Sequence, residues 1–196
     1  MRTAPARRVR PDTAEQILDV AERLVQMRGF NDFSYADVSA ELGITKASLH
    51  HHFRTKAELG RRLIERYHRR FAEALAVIDR GGAGAPAKLR EYVALYADVL
   101  RRDRLCLCGM LAADFDTLPR PMKLRIRGFF DENERWLAGV LEEGVRSGSI
   151  RLRGSARDAA RMVVGALEGA MLLARSYGDA ARFDAAADQL LAELVG

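Results

Sequence analysis

Cysteine is almost missing from this chain. Its 196 residues include two, Cys106 and Cys108, too few for a disulfide framework and in keeping with a reducing compartment. No apolar run approaches the roughly 20 residues that span a bilayer, so no membrane partner is expected. Alternating strand pattern is absent as well. Proline is scarce, five residues, and the clearest break in the chain is "GGAGAP" at 81–86. Catalytic signatures are missing: there is no H-E-x-x-H and no G-x-x-x-x-G-K-[ST], and the glycine tract follows a helical pattern rather than a strand. These absences weigh against an enzyme, imply no cofactor, and leave a helical protein-interaction module or a small all-α enzyme as alternatives to any binding function. The basic start "MRTAPARRVRP" leads into an amphipathic pattern rather than an apolar segment, so a cytoplasmic chain without a secretory leader is expected.

What the chain does contain is unevenly placed charge. The formal net charge is +5, and residues 1–70 hold 14 Lys and Arg against 9 Asp and Glu, leaving 18 of each in the remainder. All the excess is amino-terminal, which suits a polyanion partner for the first third, although a solvated basic face gives the same count.

Helical periodicity runs throughout and predicts an all-α fold of about nine helices. Asp12 with Glu15 marks a first helix closing at Gly29; Ser34 with Asp37 marks a second, short one ending at Gly43. Thr45 caps "KASLHHHF", and Thr55 with Glu58 begins a helix of more than twenty residues striped by Leu59, Leu63, Tyr67, Phe71, Leu75 and Ile78. After the glycine tract come a helix from near Pro86, a segment "RLCLCGMLAADF", a long helix from Pro121 striped by Leu124, Phe129, Phe130, Trp136, Leu137, Val140 and Leu141, a helix capped by Ser155 with Asp158, and a last one, "FDAAADQLLAELV". The organisation expected is a domain over 1–54, a connecting helix over 55–80 and a larger domain over 81–196.

Two short helices around Gly43 outline a helix-turn-helix, with Val38 and Leu42 facing Ile44, Leu49 and Phe53 and the first helix closing the small core. The second helix begins with small polar residues, so its backbone can approach base edges and its dipole can meet phosphate. His50, His51 and His52 follow one another about 100° apart on a helix, so they cannot converge on one metal ion, and no orienting partner makes one a general base. The lone His68 reads as a surface residue.

"GITKASLHHHFRTKAEL", residues 43–59, resembles the G-[VI]-[ST]-K-G-[ST]-[LI]-Y-[HY]-[HY]-F-x-[ST]-K-x-x-L signature of the TetR family of transcriptional regulators, and "RGF" followed by "FSYADVSAELG" resembles the pattern upstream of it. Ala47 stands where glycine is common and His50 where tyrosine is usual; an imidazole there donates one hydrogen bond when neutral and adds charge when protonated. The resemblance implies a three-helix DNA-binding domain, and DNA contacts are expected from Ser34 and Tyr35, from Thr45, Lys46, Ala47, Ser48, His50 and His51, and from Lys56. It implies a homodimer on a double-stranded, palindromic operator, with half-sites about 34 Å apart or a multiple of that, and a repressor released by a small molecule, the long fourth helix carrying the change to the head.

Dimer contacts are then expected in the last two helices, at Val163, Leu167, Ala170 and Met171 and at Phe183, Leu190 and Leu194; the other reading is that these residues complete an intramolecular core. For a small apolar or electrophilic inducer the expected lining is Tyr92, Tyr96, Met110, Phe115, Phe129, Phe130, Trp136 and Met162, residues that plain core packing also explains. "LCLCGMLAADF" resembles the G-C-L-x-x-x-L-A-x-E segment of family members that sense electrophiles, with Cys106 at the matching position. Arg101, Arg102 and Arg104 would lower a thiol pKa if they faced it; a buried, inert cysteine pair is the alternative.

Overall fold

Side-chain caps set where the helices begin. The computed structural model describes residues 12–195; the basic segment 1–11, on which the expectations about a leader and location and part of the charge excess rest, lies outside the described residues. Helix α1 (Thr13–Arg28) opens where Asp12 accepts from the Ala14 amide, and it closes at Gly29, whose φ of 89° suits glycine. Ser34 and Asp37 form a full capping box for α2 (Tyr35–Leu42), which ends on left-handed Gly43. Thr45 accepts from the Ser48 amide to start α3 (Lys46–His52), and Thr55 accepts from the Glu58 amide to start α4 (Lys56–Arg80), 25 residues long. Then follow α5 (Ala85–Arg101), α6 (Leu107–Ala113), a 3-10 turn (Phe115–Thr117), α7 (Arg120–Ser147), α8 (Ala156–Tyr177) and α9 (Ala181–Val195). Among the described residues the chain is all-α with nine α-helices, as its periodicity predicts.

Two details differ from the sequence reading. The segment around the cysteines is shorter as a helix than its pattern suggests: Asp103 turns the chain with a positive φ of 58° after α5, and Cys106 precedes α6 as its N-cap residue. Leu124 is exposed, because the buried stripe of α7 runs through Met122, Ile126, Phe129, Asn133, Leu137 and Val140, and a residue two positions from Met122 points about 200° away.

The head packs around the amino-terminal end of one continuous core. Val38, Leu49 and Phe53 pack against Ile17, Ala21, Leu24 and Val25 of α1, all buried, with Leu42 and Ile44 half-buried at the rim. Each such side chain contributes about 1.5–3 kcal/mol by leaving water. Behind it, α4 runs onto α7, and α7 and α8 form the longest helix pair of the second body, with α9 against α8 and α5.

Several polar ties join the head to that second body or to α4. Arg66 of α4 is buried and meets Glu15, Asp19 and Glu22 of α1 at 3.0, 2.9 and 2.6 Å. The Phe30 amide donates to Asp114 Oδ2 at 2.7 Å, and the Leu105 amide to the Gln26 carbonyl at 3.2 Å. From α8, Arg175 donates to the carbonyls of Met27 (3.1 Å) and Asp103 (3.0 Å). The end of α1 is therefore gripped by α6 and by α8.

Candidate functional site

The outward face of α3 carries Thr45, Lys46, Ala47, His50 and His51, all exposed, while Leu49 on the opposite side anchors the helix in the core. That division follows from the capped, seven-residue helix: one side of its turns buries Leu49 and the opposite side faces solvent. Ser48 is half-buried, and the hydroxyl of Thr45 is occupied by its own cap at 3.1 Å from the Ser48 amide. His51 and His52 meet edge to face at 5.5 Å, and among the described residues no group of three or more His, Cys, Asp or Glu side chains is placed to hold a metal ion.

Ser34, Tyr35, Lys46, His50 and Lys56 surround one open groove of about 520 Å³, between the turn after α1 and the starts of α2, α3 and α4. Lys56 is partly committed within it. Its Nζ sits 4.8 and 4.5 Å from the ring centres of Phe30 and Phe33, and loss of hydration lowers its pKa against the pull of Asp114, Asp32 and Asp37. Tyr35 is committed more fully: its hydroxyl donates to the Phe53 carbonyl at 2.9 Å, and burial, with Glu58 adding to it, pushes its pKa up to about 12. It bolts α2 to the end of α3 instead of presenting a donor outward. Its ring lies 4.8 Å from that of His50, whose Nδ1 faces the Arg54 carbonyl at 3.2 Å. With that bond made by Nδ1–H, Nε2 of neutral His50 is an acceptor, and only a protonated ring donates to phosphate.

In the second body half of the expected lining residues, Tyr92, Tyr96, Phe129 and Trp136, form a closed aromatic core. Phe71 meets Tyr92, Tyr96 and Phe129 edge to face, and Trp136 stacks on Tyr92 at 5.6 Å while donating to Asp79 at 2.9 Å. Tyr92 and Tyr96 share a 3.2 Å hydroxyl contact, and Asn133 accepts from Tyr92 at 3.3 Å, which satisfies polar atoms that no water reaches. His68 belongs to this region rather than to the open surface: it is half-buried, 2.6 Å from Glu132 and edge-on to Phe129, because its position on α4 faces α7. Phe115 lies apart under Lys123 and Arg127, and Met162 is 51% exposed in a different groove with Leu152 and Leu190.

Met110 and Phe130 do meet, with Leu105, Gly109, Met171, Leu172 and Glu168, around a cavity of about 140 Å³. Sequence patterning missed Glu168: it reads as one polar residue in an apolar helix, and nothing local shows that its face turns inward. Burial pushes its pKa up to about 7, with the neighbouring Cys106 thiol working the other way. Cys106 also accepts from the Tyr67 hydroxyl at 3.6 Å. Burial first, then the Glu168 charge, hold the thiols of Cys106 and Cys108 well above their ordinary range. The expected lowering by arginine is overturned: none of the groups acting on the Cys106 thiol is an arginine, Arg101 and Arg102 face solvent, Arg101 pairs with Asp98, and Arg104 is half-buried.

The expected dimer residues are also redistributed. Val163, Leu167, Met171, Phe183 and Leu194 are buried by their own chain, and Ala170 and Leu190 are half-buried against its core. A strip of other residues faces out from α8: Met162, Gly165, Ala166, Leu172, Leu173 and Tyr177, with Ala185 and Ala186 exposed on α9.

Comparison with known proteins adds to this geometry. Residues 17–63 match the model described as bacterial regulatory proteins, tetR family, and residues 85–190 match the tetracyclin repressor-like C-terminal domain. The crystal structure of a TetR-family transcriptional regulator from Agrobacterium tumefaciens is similar with a TM-score of 0.90 at 34% identity, covering 93% of this chain and 97% of that one. The transcriptional regulator AcuR of Cereibacter sphaeroides is 28% identical over 127 residues, 63% of this chain; the match spans only 58% of AcuR. The HTH-type transcriptional repressor NemR of Escherichia coli is 25% identical over 144 residues, 70% of this chain and 69% of NemR.

Proposed function

This chain belongs to the TetR family of bacterial regulatory proteins, DNA-binding regulators rather than enzymes, and on that premise we propose that it is a homodimeric repressor released from a palindromic operator by an effector bound in its α5–α8 body. The observation that carries the reading is the exposed Thr45–His51 face of α3, anchored by fully buried Leu49 on its opposite side. Lys46 supplies the cationic contact, with His50 beside it on the same face, and Thr45, Ala47 and Ser48 are small enough to let the helix enter a major groove. Ser34 contributes the start of α2 and its amides. Lys56 reaches phosphate only by leaving its two aromatic rings.

The outward strip of α8 and α9 supports a second copy as its occupant. Small residues Gly165 and Ala166 between Met162 and Leu172 let two such helices approach closely, and Leu172 and Leu173, both more than half exposed, are apolar surface that pairing would cover. Effector coupling is supported by the grip on α1: Met110 lines the cavity and its methyl lies beside Gly29, while Asp114, one turn further, holds the Phe30 amide.

Selection of bound sequences from random DNA tests the whole reading, because a palindrome with half-sites about 34 Å apart, or a multiple, is the expected product. Lys46→Ala should weaken binding to that sequence by about 1 kcal/mol or more and leave the dimer intact. Recovery of unrelated sequences, or unchanged binding by the Lys46 variant, refutes the assigned helix.

A further inference from the structure

We propose that the cavity between α6, α7 and α8 recognises a compact organic cation, a protonated amine on an apolar body, with Glu168 as its ionic partner. This rests on reading the C-terminal body as the effector-binding part and names the chemistry of that effector.

Three observations converge on it. First, Oε1 of Glu168 is enclosed and has no hydrogen-bond partner in the chain. Buried acceptors are normally paired, and one left without a donor is costly; a ligand bearing N–H groups removes that cost. Second, the space for the carboxyl is made by glycine. A Cβ at position 109 would stand 2.2 Å from Oε2, so any other residue there would push the carboxyl away. Third, the remaining lining is apolar: Leu105, Met110, Phe130, Met171 and Leu172 contribute no cation and no side-chain donor.

The charge of the ligand follows from that lining. An ionised Glu168 attracts a cation in surroundings of low dielectric constant and repels an anion. Phe130 lines the same space and brings an aromatic ring that a cation can use, and the two methionines adapt to an apolar body. The size follows from the volume, about 140 Å³, since an apolar cavity of roughly 150 Å³ accepts a six-membered carbon ring. Cyclohexylamine, cyclohexanol and cyclohexanecarboxylate therefore form a matched series with one ring and three head groups.

Titration calorimetry on the full chain tests this directly. Cyclohexylamine should bind saturably, one per chain, at least about tenfold tighter than cyclohexanol, with no binding of cyclohexanecarboxylate over the range to about 10 mM that suits ligands of this size. Glu168→Gln should abolish the preference for the amine, and Gly109→Ala, which displaces the carboxyl without removing it, should weaken amine binding by a similar factor. Equal affinity for amine and alcohol, a preference retained by Glu168→Gln, or no heat with the amine overturns the proposal. The comparison of the three compounds on the unsubstituted chain remains decisive if either variant fails to fold. Operator binding by fluorescence anisotropy separates the two levels. Normal operator binding without an amine preference removes this site alone, whereas amine binding by a chain that recognises no operator leaves the site standing and removes the regulatory reading.

Discussion

A carboxyl forced into an apolar cavity must show itself in the pH dependence of folding. Glu168 ionises near pH 7 in the folded chain against an ordinary value of 4.5, chiefly because burial disfavours its charge. Below about pH 4.5 it is protonated in both states and makes no difference. As the pH rises from there, the unfolded chain releases this proton while the folded chain keeps it, so stability falls by about 1.4 kcal/mol per pH unit. Above about pH 7 both states are ionised, the slope disappears, and the full penalty of roughly 3 kcal/mol remains. Urea unfolding followed by circular dichroism, at pH 5, 6, 7 and 8 and at one protein concentration, should therefore show Glu168→Gln gaining on the parent chain by up to that amount across the series. The difference between the two proteins isolates the one group. The titratable side chains that face it, Cys106, Cys108, Tyr67, Tyr92 and Tyr96, are all pushed upward by burial and stay neutral throughout. Half-buried Asp37 and exposed Asp158, held low by their serine partners, act alike in both proteins. A stability difference that is flat from pH 5 to pH 8 refutes the argument.

Three further outcomes follow from single contacts. Asp114→Ala removes the acceptor of the Phe30 amide and should cost about 1–3 kcal/mol, read as a lower urea midpoint together with faster amide exchange around residues 28–33; unchanged exchange there would show that the latch is not holding the turn. Leu173→Glu on the outward strip of α8 should give a monomer in sedimentation velocity with an unchanged circular dichroism spectrum, and a persisting dimer would move the interface elsewhere. Both thiols are buried and held protonated, so the native chain at pH 8 should react with a disulfide reagent only as fast as it unfolds; an immediate stoichiometric reaction of either cysteine would restore the electrophile-sensing reading.

The parts of this molecule that sequence reveals are those whose physics is local. Asp12, Ser34, Thr45, Thr55 and Ser155 cap helices through partners two or three residues away, and such pairs can be read directly. Leu49 beside Thr45–His51 is equally local, since one turn of helix fixes which side is buried. Inward and outward faces of α8 are not local. Val163, Leu167 and Met171 share a helix with Met162 and Leu173, and both sets are apolar at helical spacing; only the positions of α7 and α9 decide which set is enclosed. The same holds for Arg101 and Glu168 around Cys106: nearness in sequence suggested the arginines, while the fold brings in a carboxylate more than sixty positions away and reverses the sign of the effect on the thiol.

That reversal bears on how the proposed repressor would switch. An effector shifts operator affinity only by its difference in affinity for two arrangements, and a coupling of about 1–3 kcal/mol gives a 5- to 150-fold change. Glu168 and Arg175 lie seven residues apart, two turns along one face of α8; the first meets the cavity and the second grips the end of α1 through the Met27 carbonyl. On the other side of the cavity, Met110 and Asp114 lie one turn apart on α6 and its C-cap, and Asp114 grips the Phe30 amide. A ligand drawn onto Glu168 would press between two elements that both hold the same turn of the head. Shifting either by a fraction of an ångström stretches a hydrogen bond made to backbone, which the head can follow only by moving as a body, because Leu49, Phe53 and Val38 lock α3 to α1. The energy required is no more than one such bond, about 0.5–1.5 kcal/mol net, which lies at the lower end of the coupling a regulator needs.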